Sequence, residues 1–198
     1  MRTIGLSGLA LISVLLISAC SNSLVMEVDS AIPMATTDSN KAKISLYMSP
    51  DFVNYVYREN TPGRENWEIS LGKSQAVLFQ QILQAVYGDV SVITSASQHD
   101  GADLVAIPQL VEMQLATPLE TGFTFFEAWL NYTVTIRQIE DNSTRILNVT
   151  AYGKQNKERF QRFQQGLRQA IEKALRDAGA KLTVKLTRSG EAKTTVVN

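Results

Sequence analysis

The 198-residue chain is short of the residue types that most chemistry needs. It has one cysteine, Cys20, which excludes an intrachain disulfide and a cysteine-built metal site. It has one histidine, His99, too few for the usual multi-histidine zinc centres. It lacks net charge: 19 basic residues face 19 acidic ones, and no basic run gives a bulk reason to bind nucleic acid. Its one long apolar stretch, Ile4 to Ile17, is interrupted by Gly5, Ser7, Gly8 and Ser13. That is too short for a comfortable membrane span, which takes ~20 apolar residues.

What is present begins with that stretch. Met1-Arg2 is a positive start, Ile4 to Ile17 an apolar core of signal-peptide length, and Ile17-Ser18-Ala19-Cys20 a small-residue approach to a cysteine. The last four residues resemble the bacterial lipobox. The resemblance implies that residues 1–19 are a lipoprotein signal peptide and that the thiol of Cys20 carries diacylglycerol, with the new amine often acylated by a fatty chain such as palmitate. Residues 1–19 hold Arg2 as their only charge, so the mature chain would carry 18 basic against 19 acidic residues. Each buried methylene contributes ~0.8 kcal/mol, so two or three acyl chains would hold the protein at the membrane almost permanently. Ser21, where aspartate marks inner-membrane retention in Gram-negative lipoproteins, implies a periplasm-facing place at the outer membrane.

Residues 20–42 read as the lipidated cysteine and a flexible spacer, rich in Ser, Thr, Asp and Asn. A globular domain is expected over 43–188 and a disordered polar tail over 189–198. Within the domain, Lys43 to Met48 alternates and predicts a strand, and Phe52 to Tyr57 a loop with strand character. Asn60-Thr61-Pro62-Gly63-Arg64 marks a turn. Leu71, Leu78, Phe79, Ile82, Ala85 and Val86 form a stripe that predicts a helix over Leu71–Tyr87, capped by Ser70 and ended by Gly88.

Val90 to Thr94 predicts a short strand. In Leu104–Leu115 the odd positions Val105, Ile107, Val111, Met113 and Leu115 predict a buried face. Phe126, Ala128, Leu130, Tyr132, Val134 and Ile136 give the clearest alternation in the chain. Glu140 to Ser143 predicts a hairpin turn into a return strand over Arg145–Tyr152. Phe160, Phe163, Leu167, Ala170, Ile171, Ala174 and Ala178 predict a second helix over Asn156–Ala178, with favourable Glu158–Arg162 and Glu172–Arg176 pairs and Gly179 at its end. Leu182, Val184 and Leu186 then predict a last strand. The expected class is α+β: a mostly antiparallel sheet of about four to six strands with two amphipathic helices on one face.

Few motifs carry chemistry. Leu71-Gly72-Lys73-Ser74 resembles the end of a phosphate-binding loop, but Trp67 stands where its first glycine is required, so the bland reading is a helix start. Ser97, His99 and Asp100 allow a triad to be imagined, without the strand–turn–helix context that would expose a nucleophile; a surface-loop histidine is the expectation. Three matches to the glycosylation sequon, at Asn131, Asn142 and Asn148, read as Thr-rich strand chemistry. The acidic pairs Glu65/Glu68 and Glu140/Asp141 sit in turn-like contexts. No catalytic residue, cofactor or metal ligand is assigned.

Phe123, Phe125, Phe126 and Trp129 cluster at a hairpin link. Phe126 keeps core parity, whereas Phe125 and Trp129 fall on an otherwise polar face, which makes Phe123, Phe125 and Trp129 candidate partner contacts. The competing expectation packs them under the Phe52–Trp67 loop.

The whole order, from the lipobox through helix Leu71–Tyr87, the Ala102-Asp103-Leu104-Val105 strand start and the meander to helix Asn156–Ala178, resembles small envelope lipoproteins of the LptE, YajG and TolB-N-terminal-like kinds. The resemblance implies a non-enzymatic accessory of an envelope transport or assembly complex. A ring-forming, self-associating lipoprotein and an envelope hydrolase are the alternatives.

Overall fold

The computed structural model describes residues 24–27, 42–59, 67–159 and 163–191. Cys20, the signal stretch, the Asn60–Arg64 turn and Arg162 lie outside them. Two sheets are present. The larger has order β5-β2-β6-β7-β8 and the smaller order β1-β4-β3. Their strands are β1 (Leu24–Glu27), β2 (Ile44–Tyr47), β3 (Val56–Glu59), β4 (Trp67–Ser70), β5 (Val90–Ile93), β6 (Leu104–Ala116), β7 (Phe125–Gln138) and β8 (Thr144–Asn156). The helices are α1 (Pro50–Val53), α2 (Gly72–Tyr87), α3 (Pro118–Thr121) and α4 (Phe163–Glu191).

The class is α+β, as expected, but the sheet is mixed. β6, β7 and β8 form the antiparallel meander. β2 runs parallel to both β5 and β6, because α2 lies between β2 and β5 and acts as a crossover. Alternation reports which face is buried and is silent on strand direction, so this half of the sheet was not legible.

β7 follows the expected pattern throughout: Phe126, Ala128, Leu130, Tyr132, Val134 and Ile136 are buried under α2 and α4. β6 does not. A register shift between Leu110 and Glu112 turns Val111 outward, 61% exposed. Before that bulge the core face is Ala106 and Leu110, and after it Met113 and Leu115. One inserted residue exchanges the two faces of a strand, since side chains alternate with period 2.

Helix α2 starts one residue later than expected. Leu71, not Ser70, is its N-cap and makes no side-chain cap bond; Gly88 ends it at φ 78°. Leu71 and Gly72 instead donate their amides to the Tyr55 carbonyl, each at 3.0 Å. A Cβ on Gly72 would sit 2.1 Å from the Val53 carbonyl oxygen, so the glycine of the phosphate-loop look-alike is there for backbone contact. The segment expected as a loop from Phe52 is the end of α1 followed by β3.

The far end departs most. Asn156 closes β8, a short 3-10 turn covers Lys157–Arg159, and α4 runs from Phe163 through Gly179 to Glu191. The expected last strand at Leu182–Leu186 is therefore helix, and the tail expected from residue 189 begins inside it. Leu182 and Leu186 extend the buried stripe of Leu167, Ile171, Leu175 and Ala178, while Val184 is 46% exposed. Thr183 and Thr187 donate their hydroxyls to the carbonyls four residues earlier, at 2.9 and 3.0 Å, which makes them tolerable in a helix.

α4 also serves the outer edge of β8. Asp177 accepts the Tyr152 amide at 2.9 Å, Lys173 donates to the Lys154 carbonyl at 3.0 Å, and Lys181 donates to the Thr150 carbonyl at 2.9 Å. Positions four apart on a helix stand one turn apart on one face, so three side chains follow one strand. Gly153 permits this approach; a Cβ there would meet the Ala170 carbonyl oxygen at 1.9 Å. Finally, β1 falls within the expected spacer: Leu24–Glu27 pairs parallel with Trp67–Ser70.

Candidate functional site

The helices cover one face of the meander. The other is turned outward: in β8 the side chains of Thr144, Ile146, Asn148, Thr150, Tyr152 and Lys154 are exposed, alternating with buried neighbours from Leu147 to Gly153. At one end this face is covered by the Ser95–Gly101 loop, held by the Arg137 guanidinium donating to the Ala96 carbonyl and the Ser45 hydroxyl donating to the His99 carbonyl at 2.7 Å. The rest is an open, cross-strand surface.

Its register builds two adjoining rows. Gln114, Trp129 and Tyr152 form one; Ala116, Glu127 and Lys154 form the next. The Trp129 and Tyr152 rings lie 5.3 Å apart, tilted by 39°. The Tyr152 hydroxyl donates to the Glu127 carboxylate. Lys154 Nζ stands 3.7 Å from the centre of the Phe125 ring and 3.9 Å from Glu127 Oε1. Burial, then the hydrogen bond to Glu127 and its charge, push the Tyr152 phenol up to about 12. Below the aromatic row, Glu112 accepts from Gln114 Nε2 at 2.6 Å and from Asn131 Nδ2 at 3.0 Å. The side-chain oxygen of Asn131, Oδ1, has no hydrogen-bond partner among the described residues.

Each of these contacts is modest. A cation–π contact at an exposed site contributes ~0.5–1 kcal/mol, and a cross-strand pair ~0.2–1 kcal/mol. Their joint effect is conformational: Phe125, Trp129 and Tyr152 are held against neighbours before anything binds. Large rings fixed in advance lose little freedom on association, which favours recognition by a flat partner.

The three candidate contacts do not form one patch. Phe125 and Trp129 share the open face, half-buried. Phe123 sits apart at the hairpin tip, 67% exposed beside Leu119 at 69%. Of the Phe52–Trp67 segment, Phe52 and Trp67 lie on the helix side: Phe52 meets Phe79 edge-on at 5.4 Å, and Trp67 stacks on Phe163 at 5.5 Å, while residues 60–66 lie outside the described ones. Sequence reasoning did not pick out Tyr152, Glu127 and Lys154. The signal was available, because counting outward from the Glu140–Ser143 turn places Tyr152 opposite Trp129.

His99 and Asp100 are exposed in the loop, with Asp100 at φ 45°. Ser97 shares a hydroxyl contact with Ser95 at 2.9 Å, so the imagined triad is not assembled. Among the described residues no three His, Cys, Asp or Glu side chains converge as metal ligands, and no helix is long and apolar enough to cross a membrane.

The fold is shared with a solved bacterial protein. Protein XCC0632 from Xanthomonas campestris, of the DUF330 family, superposes with a TM-score of 0.57 at 10% identity, over 88% of this chain and 99% of its own. A candidate lipoprotein from Caulobacter crescentus reaches 0.41 at 8% identity, over 58% and 79%. The PelC dodecamer of Paraburkholderia phytofirmans reaches 0.35 at 14%, over 78% and 95%. At these identities the likeness is one of fold, and the first comparison carries it. No family model and no curated protein sequence matches the chain.

Proposed function

We propose that this chain is a bacterial envelope lipoprotein, anchored through Cys20 to the periplasmic face of the outer membrane. It serves as a non-enzymatic accessory of a transport or assembly complex, docking through the open face of the meander. The lipobox at Ile17–Cys20 supports the anchor. The observation that carries docking is the row of Trp129 and Tyr152, flanked by Phe125, on a face that no described helix covers. Helix α4, which helps bury the opposite face, also caps part of the β8 edge, leaving a flat surface in place of an open ladder there.

The test is photocrosslinking in intact cells of the native host, with a photoreactive side chain at Trp129 and a control at Glu140 on the hairpin turn. A discrete envelope protein captured from position 129 and not from 140 supports docking. Recovery of monomer alone rejects it, and adducts of twice the chain mass replace it with self-association. The hydrolase reading fails if His99→Ala and Asp100→Ala leave any measured turnover unchanged.

A further inference from the structure

The tip that joins β6 to β7 lies outside the docking face and has a different composition. Leu119 and Phe123 are each about two-thirds exposed, on either side of Thr121 and Gly122. The one charged side chain there, Glu120, turns back: it accepts the Thr117 amide at 3.0 Å in a capping box that fixes the tip. What projects is uncharged, with two large apolar groups at its corners.

The N-terminal strand enters the fold at this same end. Leu24 pairs with Trp67. Trp67 stacks on Phe163 at 5.5 Å, and Phe163 meets Phe126 edge-on at 4.7 Å. Phe126 stands three residues from Phe123. On the other side of β4 lies β3, whose Tyr57 phenol is within reach of the Glu120 charge. The small sheet separates Leu24 from β3 by two strand spacings, about 10 Å. From Cys20 to Leu24 is four steps of chain, at most about 14 Å. Lipid chains on Cys20 therefore hold this end of the molecule, and no other, against the bilayer.

We infer that Leu119 and Phe123 form a wedge that enters the lipid surface beside the anchor and fixes the orientation of the domain on the membrane. The inference rests on the lipid-anchor reading of Cys20. It explains why two large apolar groups project where the tether begins, and it leaves the Trp129 row free to face sideways. Their burial among acyl chains removes from water the apolar area that the fold leaves out.

The experiment uses the acylated protein from its native host, reconstituted in phosphatidylethanolamine–phosphatidylglycerol vesicles. A polarity-sensitive fluorophore is attached to the new thiol of Phe123→Cys, Leu119→Cys or, as control, Glu140→Cys. All three sites are surface positions, and intact mass establishes the state of Cys20 in each. The wedge requires blue-shifted emission at 123 and 119, quenched by lipid-borne nitroxides, and water-like emission at 140. Water-like emission at all three positions with an acylated Cys20 overturns the wedge and leaves the anchor standing. Blue-shifted emission that lipid nitroxides do not quench means a protein surface covers the tip and likewise overturns it. An unmodified Cys20 overturns the anchor, and the geometric basis of the wedge with it.

Discussion

The carboxylate of Asp177 in α4 accepts the main-chain amide of Tyr152 in β8 at 2.9 Å, so a helix side chain takes the place a neighbouring strand would fill. Lys181, which pairs with Asp177 at 2.6 Å, and Lys173 complete the substitution by donating to carbonyls on the same edge. Asp177→Ala removes the acceptor and exposes the edge. A hydrogen bond to a charged group contributes ~1.5–3 kcal/mol, and this site is partly open to water, so a loss of about 1 kcal/mol is expected. Hydrogen exchange at the Tyr152 amide should accelerate, and a rate unchanged from the parent protein would refute the capping role.

Gly72 and Lys73 separate a packing role from a phosphate-binding one. Gly72→Ala forces a methyl group against the Val53 carbonyl and the Tyr55 amide, and overpacking of this kind costs about 3 kcal/mol or more. Lys73 is exposed, and Lys73→Ala should stay within about 0.5 kcal/mol. Urea denaturation of the pair checks both; equal destabilisation would contradict the packing account.

Tyr132 and Gln75 form the polar centre of the core. The phenol donates to Gln75 Oε1 at 3.2 Å, and Gln75 Nε2 donates to the Phe52 carbonyl. Both side chains are buried, and burial raises the Tyr132 phenol far above its ordinary value, keeping it a neutral donor. Tyr132→Phe leaves the buried Gln75 amide oxygen without its donor and should destabilise the domain by about 1–3 kcal/mol, read by urea denaturation.

The Tyr152 phenol gives a pH signature to the open face of the meander. Its folded value of about 12 lies above the unfolded value of 10.0, so the folded protein holds the proton more tightly. The associated stabilisation is complete below pH 10 and fades as pH rises from there through 12. A difference absorbance titration between the parent and Tyr152→Phe should show one phenol ionising near 12. In Glu127→Gln the midpoint should fall part of the way back, because burial, the largest cause, remains. A midpoint at the ordinary tyrosine value in the parent would remove the Glu127 contact.

The meander was legible because its strands are long and buried on one face only; Phe126 to Ile136 repeats with period 2 and admits one reading. The terminal helix was not. Thr183, Val184 and Thr187 have β-branched side chains, and Leu182, Val184 and Leu186 alternate like a strand, yet Leu182 and Leu186 also continue a 3.6-residue stripe begun at Leu167. Packing against β7 and β8 decides between two periods that the local sequence fits equally well. Val111 illustrates a second limit, since nothing in an apolar run announces a bulge. The open face was half visible: Phe125 and Trp129 stood out by parity, while Tyr152, Glu127 and Lys154 emerge only through their partners across the strand pair.

The direction of β1 bears on how the domain withstands being tugged. β1 runs parallel to β4, with its N-terminal residue, Leu24, opposite Trp67. A pull along the strand from that end slides β1 past β4 and strains all the rungs of the ladder together. Under the proposed anchor at Cys20, a load on the tether would meet the small sheet in shear.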